Sequence, residues 1–120
     1  MTQTTPSRME AACSLLAESE RRYLLYQLAE TRRGNLEDIV SEIAAWELEE
    51  ADAADSEYRQ QVYVSLIHNH LPRLADYDIV DYDLRSGDIV LAEGFDDIRP
   101  LLEQFKQTES EPEIRETPLP

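Results

Sequence analysis

Residues 65–80 read S-L-I-H-N-H-L-P-R-L-A-D-Y-D-I-V. Leu66, Ile67, His70, Leu71 and Leu74, with Val62 before them, recur at helical spacing and predict the buried side of a long helix over about 57–77. Gln60, Gln61, Val64, Ser65, His68, Asn69 and Arg73 fall on its other side. Pro72 is expected to bend or shorten this helix, because proline lacks the amide hydrogen and clashes with the preceding turn. At Ile79 and Val80 the period changes. Two β-prone runs, 79–83 and 88–92, are joined by Leu84-Arg85-Ser86-Gly87, which predicts a hairpin over about 79–92.

Three shorter helices are predicted upstream. Met9, Ala12, Cys13 and Leu16 mark one face over about 8–17, which makes Cys13 a small core residue. Ser19 is a plausible N-cap for a second helix with Leu24, Leu25 and Leu28 inward, closing with Arg32 and Arg33 before Gly34. Asn35 can cap a third, in which Leu36, Ile39, Val40, Ile43 and Trp46 repeat on one face, so that Trp46 is expected in the core. The acids Glu47, Glu49, Glu50, Asp52, Asp55 and Glu57 then read as a solvated connection. After the hairpin, Asp97 is expected to cap a last helix over about 98–106, with Pro100 in its first turn and Ile98, Leu101, Leu102 and Phe105 as an apolar stripe. Helix, helix, turn, helix and hairpin make a mainly α domain with a small β-hairpin, an α+β winged helix-turn-helix over 8–106. Residues 1–7 and the acidic, proline-containing 107–120 are expected to be disordered.

The whole sequence has 120 residues, enough for one such core. It carries 26 Asp and Glu against 11 Lys and Arg, a net charge of −15, and Lys106 is its single lysine. Such like charge repels itself in dilute buffer and is screened at molar salt, where the Debye length falls to about 3 Å. A lysine-poor acidic chain with ordinary hydrophobic content is therefore expected to be halophilic, as in salt-accumulating haloarchaea. No run approaches the roughly 18 to 20 apolar residues of a membrane span, and 1–6 is too short and polar for a signal peptide, so a cytoplasmic location without membrane contact is expected.

Around the long helix the sequence resembles the recognition helix and wing entry of ArsR-like and MarR-like winged-helix regulators. His70, Leu71, Leu74, Ile79 and Val80 match the pattern there. Asp78 stands where those families usually place glycine, though aspartate tolerates the left-handed backbone, and Pro72 interrupts a helix they leave continuous. A closer resemblance is to a group of haloarchaeal winged-helix domains, carried by E-R-R-Y-L-L-Y-Q-L at 20–28, I-A-A-W-E at 43–47 and V-Y-V-S-L-I-H-N-H-L-P-R-L at 62–74. It covers about 20–92, implies the architecture and carries no activity.

Charge placement points to the functional face. In this acid-rich chain, 58–75 contains no acid at all, and 21–36 sets four arginines against Glu30 alone. Burial explains part of that pattern, but the exposed side of the long helix is polar and neutral to basic. Gln60, Gln61, Ser65, His68 and Asn69 can exchange hydrogen bonds with base edges, Arg59 and Arg73 can hold phosphates, and Arg85 is the natural wing contact. Double-stranded DNA is the expected partner, and a DNA-binding transcription regulator the expected role. The last helix's stripe is expected either to make a homodimer or to pack back on its own chain. The alternative is a winged-helix module that docks a partner protein without binding DNA, which the net charge favours.

Other chemistry finds no support. His68 and His70 lie about 200° apart around a helix, the wrong disposition for a shared metal. Cys13 has no cationic neighbours in sequence to make it a reactive thiolate. The three glycines form no phosphate loop, and no nucleophile has a discernible base. Neither enzyme activity nor a cofactor is expected.

Overall fold

The computed structural model describes residues 8–48 and 56–109. Its elements are α1 (Arg8–Leu16), α2 (Ser19–Thr31), β1 (Arg33–Asn35), α3 (Leu36–Leu48), α4 (Ser56–Ser65), a π turn (Leu66–His70), α5 (Leu71–Asp76), β2 (Val80–Asp83), β3 (Asp88–Leu91) and α6 (Phe95–Glu109). The order and the hairpin are those of a winged helix-turn-helix. The termini expected to be disordered, 1–7 and all but the start of 107–120, and most of the acidic connection, 49–55, lie outside the described residues.

The core is the set of apolar positions that helical and strand periods turn inward. Leu16, Leu24, Leu25, Leu28, Ile43, Leu66, Leu71 and Leu74 are fully buried beside Val80, Ile89 and Phe95. The face of α1 is rotated from the expected one: Ala12, Leu15 and Leu16 point inward, while Met9 and Cys13 are exposed. The same three-and-four spacing is kept, and the larger Leu15 displaces Cys13 from the core. Ser19 does not cap α2. The N-cap is Glu18 in extended conformation, whose carbonyl accepts the amides of Arg21 and Arg22 at 3.1 and 3.2 Å.

Arg32 and Arg33 do not form the last turn of that helix. Arg32 takes the left-handed conformation at φ 68° and donates its N–H to Leu28 O at 2.7 Å, so the chain leaves the helix two residues before Gly34. Arg33–Asn35 become a strand antiparallel to β3, with Gly34 opposite Ile89, giving a three-stranded sheet in the order β1-β3-β2. Gly34 matters here for space: a Cβ would stand 2.9 Å from Ile39 Cδ1. Asn35 caps α3 as expected, its Oδ1 accepting the Glu37 amide at 2.9 Å.

Trp46 is 40% exposed and is not a core anchor. The inward face of α3 closes on Ala44, and the indole packs edge-on against Tyr23, with ring centroids 4.7 Å apart at 78°.

Between β2 and β3, Gly87 turns at φ 82° and donates to Asp83 O at 2.8 Å. Asp78 adopts φ 62°, the left-handed backbone that glycine supplies elsewhere. Gly94 crosses directly over it: its N–H donates to Asp78 O at 2.7 Å, and an added Cβ would lie 2.6 Å from that oxygen.

The last helix begins at Phe95 and ends at Glu109, longer than expected at both ends. Asp97 therefore lies in the first turn and not at the cap, and Pro100 lies beyond that turn. Ile98 and Leu102 are buried and Leu101 and Phe105 half-buried, so the apolar stripe packs back onto its own chain against α1 and α2. Gln107–Glu109 are helical because Glu109 is clamped by α2. Arg22 donates from Nε to Oε2 at 2.9 Å and from Nη2 to Oε1 at 3.1 Å, and the Tyr26 hydroxyl donates to Oε2 as well. No described helix is long and apolar enough to cross a membrane.

Candidate nucleic-acid interface

The helix expected over 57–77 is helical throughout but not uniform in period. Leu71 donates its N–H to Leu66 O, five residues back, which defines the π turn just before Pro72. The missing amide of Pro72 would have bonded His68 O in an α-helix, and a widened turn relieves the clash there. Seven residues advance an α-helix to within about 20° of two full turns, so partners seven apart normally share a face. Three such pairs spanning the turn are split. Val62 is buried and Asn69 exposed; Val64 is 43% exposed and Leu71 fully buried; Leu66 is fully buried and Arg73 exposed. The extra residue of the π turn brings Leu71 and Leu74 into the core and swings Asn69 and Arg73 onto the outer face with Val64.

Of the predicted site residues, Arg59, Gln60, Gln61, His68, Asn69 and Arg73 are exposed on this segment, and Ser65 is half-buried. Arg73 Nε donates to Asn69 Oδ1 at 2.8 Å, so these two side chains are joined on this face. Gln60, Arg59 and Tyr63 also line a groove of about 310 Å³ against Glu37, Val40 and Ser41 of α3. Arg85 is exposed at the hairpin tip, with its amide bonded to Asp83 Oδ1 at 2.9 Å. Exposed Asp81, Asp83 and Asp88 flank it, which makes the wing acidic.

Behind the outer face lies a buried polar network that the sequence reading missed in part. His70, expected on the buried side of the long helix, lies there: it is 4% exposed and bonded at both ring nitrogens. Arg21, not singled out beforehand, is its partner and is 5% exposed. Its Nη1 approaches His70 Nδ1 at 3.1 Å, its Nε donates to Leu15 O at 2.6 Å and its Nη2 to Ser14 O at 3.2 Å. A guanidinium only donates, so Nδ1 is the acceptor and Nε2 carries the proton, given to Glu20 Oε1 at 3.1 Å. Burial lowers the Arg21 pKa, Glu18 opposes that, and the Arg73 charge adds to it. Nearby, burial and the adjoining Glu20 carboxyl raise the Glu47 carboxyl, against a 2.7 Å hydrogen bond from the Tyr58 hydroxyl. That bond and burial push Tyr58 up to about 12. The only early signal for Arg21 was its place among inward leucines of α2.

Among the described residues no group of three His, Cys, Asp or Glu is placed to hold a metal ion. The arrangement is an acid-free outer face on a helix whose inner face is held by the core and by Arg21–His70. A family model described as Domain of unknown function (DUF7344) matches residues 13–90, the span from α1 through β3 that builds this surface. The chain belongs to the DUF7344 family. No curated protein and no solved structure matches it. The DUF7344 match stops within β3, so α6 and its clamp on Arg22 fall outside the matched region.

Proposed function

We propose that this DUF7344 chain is a DNA-binding transcription regulator of a halophilic, cytoplasmic setting, reading the major groove of double-stranded DNA with the outer face of α4, the π turn and α5. The observation that carries the reading is the composition of that face. In a chain of net charge −15, the exposed residues of 58–75 are Arg59, Gln60, Gln61, Val64, His68, Asn69 and Arg73, without one acid. Amide side chains exchange hydrogen bonds with base edges, and an exposed valine suits a thymine methyl. Phosphate repulsion is screened at molar salt, where counterion release also contributes little, so recognition leans on hydrogen bonds and shape.

The acidic wing favours a second reading. Asp81, Asp83 and Asp88 surround Arg85, and Leu84 is 48% exposed, a surface better suited to a partner protein than to phosphates. One experiment separates the two: selection of genomic fragments in molar KCl, with Gln61→Ala and Arg59→Ala compared. For a regulator, Gln61→Ala loses preference at particular bases by about 1 to 3 kcal/mol. Arg59→Ala weakens all sequences alike, because phosphates carry no direct sequence information. Absence of any preferred fragment, with a protein partner that these variants lose, replaces the regulator by the interaction module.

A further inference from the structure

On the regulator reading, we propose that Asn69 and Arg73 form one donor unit whose complement is the major-groove edge of guanine. An asparagine amide offers one acceptor and two donors, and the familiar bidentate match to adenine uses the acceptor toward N6 and a donor toward N7. Here one of the two lone pairs of that acceptor is engaged: Asn69 Oδ1 takes the Arg73 Nε hydrogen at 2.8 Å. That bond holds the two exposed side chains side by side, with the Asn69 NH2 and the terminal Arg73 N–H groups as the donors next to it. Arg73 forms no ion pair among the described residues, although exposed Asp76 stands three positions on in the same helix. The Asn69 NH2 and the guanidinium N–H groups outnumber the one lone pair left on Oδ1, so the pair presents chiefly donors. Guanine is the base whose edge presents two acceptors there, N7 and O6, whereas adenine pairs its N7 with a donor.

The π turn makes this possible. In an unbroken α-helix Arg73 would share the face of Leu66 and point into the core. The extra residue places it outward, one turn beyond Asn69, at the spacing at which side chains four apart touch. Arg73 is accordingly a positioning residue for the Asn69 amide as well as a contact.

The test is selection from a randomised duplex library in molar KCl, using the full chain and three exposed-site variants. The parent should enrich guanine at one position per site, and replacing that base by 7-deazaguanine, which lacks the N7 acceptor, should weaken binding about 10-fold. Asn69→Asp keeps the acceptor for Arg73 but turns the NH2 donor into an acceptor, and should move the preference at that position from guanine toward cytosine, whose N4 donates. Arg73→Ala frees Asn69 Oδ1 and should move it toward adenine. Arg59→Ala should leave the preferred base unchanged. Parental enrichment of adenine at the position that Asn69→Asp alters overturns the donor-unit proposal while leaving the regulator intact. No enriched duplex overturns both.

Discussion

Arg22 and Glu109 are 87 positions apart and meet through two parallel hydrogen bonds, 2.9 and 3.1 Å long, that fasten the end of α6 to α2. Burial alone would raise the Glu109 carboxyl. The hydrogen bonds from Arg22 and Tyr26, with the Arg22 charge, outweigh it and bring the pKa below its ordinary value. A carboxyl depressed in the folded state adds stability above its unfolded pKa and loses it as pH falls through the folded one. Glu109→Gln should therefore cost about 1 kcal/mol near neutrality, the pair being partly exposed. Melting curves of parent and variant should converge on acidification. A gap that persists in acid would show that the clamp is steric.

Glu47 has the opposite sign. Its carboxyl is raised by burial and by Glu20, so the folded state binds a proton more readily than the unfolded chain. Stability is lost as pH rises from the unfolded carboxylate pKa through the folded value. Glu47→Gln removes that loss while keeping an acceptor for Tyr58, and should raise Tm at neutral pH. The gain should shrink as pH drops below about 4, where free carboxylates protonate. A lower Tm at pH 7 overturns the assignment.

Trp46→Ala should cost about 1 to 2 kcal/mol, the scale of an edge-to-face aromatic pair plus partial burial. A fully buried tryptophan would cost roughly 3 to 5 kcal/mol. Chemical denaturation of the pair of proteins in the same salt distinguishes these ranges, and the Tyr23→Leu background should reduce the cost if the edge contact is its source.

The net charge of −15 predicts a fold that needs salt. Lowering KCl from molar to about 0.1 M lengthens the Debye length from about 3 to about 10 Å and should loosen or unfold the domain. Circular dichroism and Tm that do not change on dilution would remove the halophilic reading.

The helix order, the hairpin, the Asn35 cap, the left-handed Asp78 and the burial of His70 were legible because each rests on a local signal: a period, a turn, a cap. What was not legible depends on distant partners. β1 is three residues long, and its pairing partner lies more than fifty residues away, so Arg33 read as a helix end, Gly34 as the residue beyond it and Asn35 as the next helix's cap. Arg21 looks like a surface arginine until Ser14, Leu15 and His70 are brought around it. The π turn was visible only as a proline that had to disturb something. At the candidate site, the exposed set was legible from polarity. The bond between Asn69 and Arg73 has the ordinary spacing of four, but its place on the outer face was not legible, because that depends on the phase that the π turn imposes.

The short β1 strand also decides how the molecule comes apart. Arg33–Asn35 pair with Val90, Ile89 and Asp88, Leu36 N–H donates to Gly87 O at 2.7 Å, and Leu91 N–H donates to Arg32 O at 2.9 Å. The hairpin is thereby stitched to the joint between α2 and α3, closing a ring of chain of about fifty residues whose closure entropy must be met before those bonds form. Wing and helices should then belong to one cooperative unit: backbone amides of β3 and of the first turn of α3 should open together and exchange with solvent at a common free energy, not as an appendage fraying from a stable bundle.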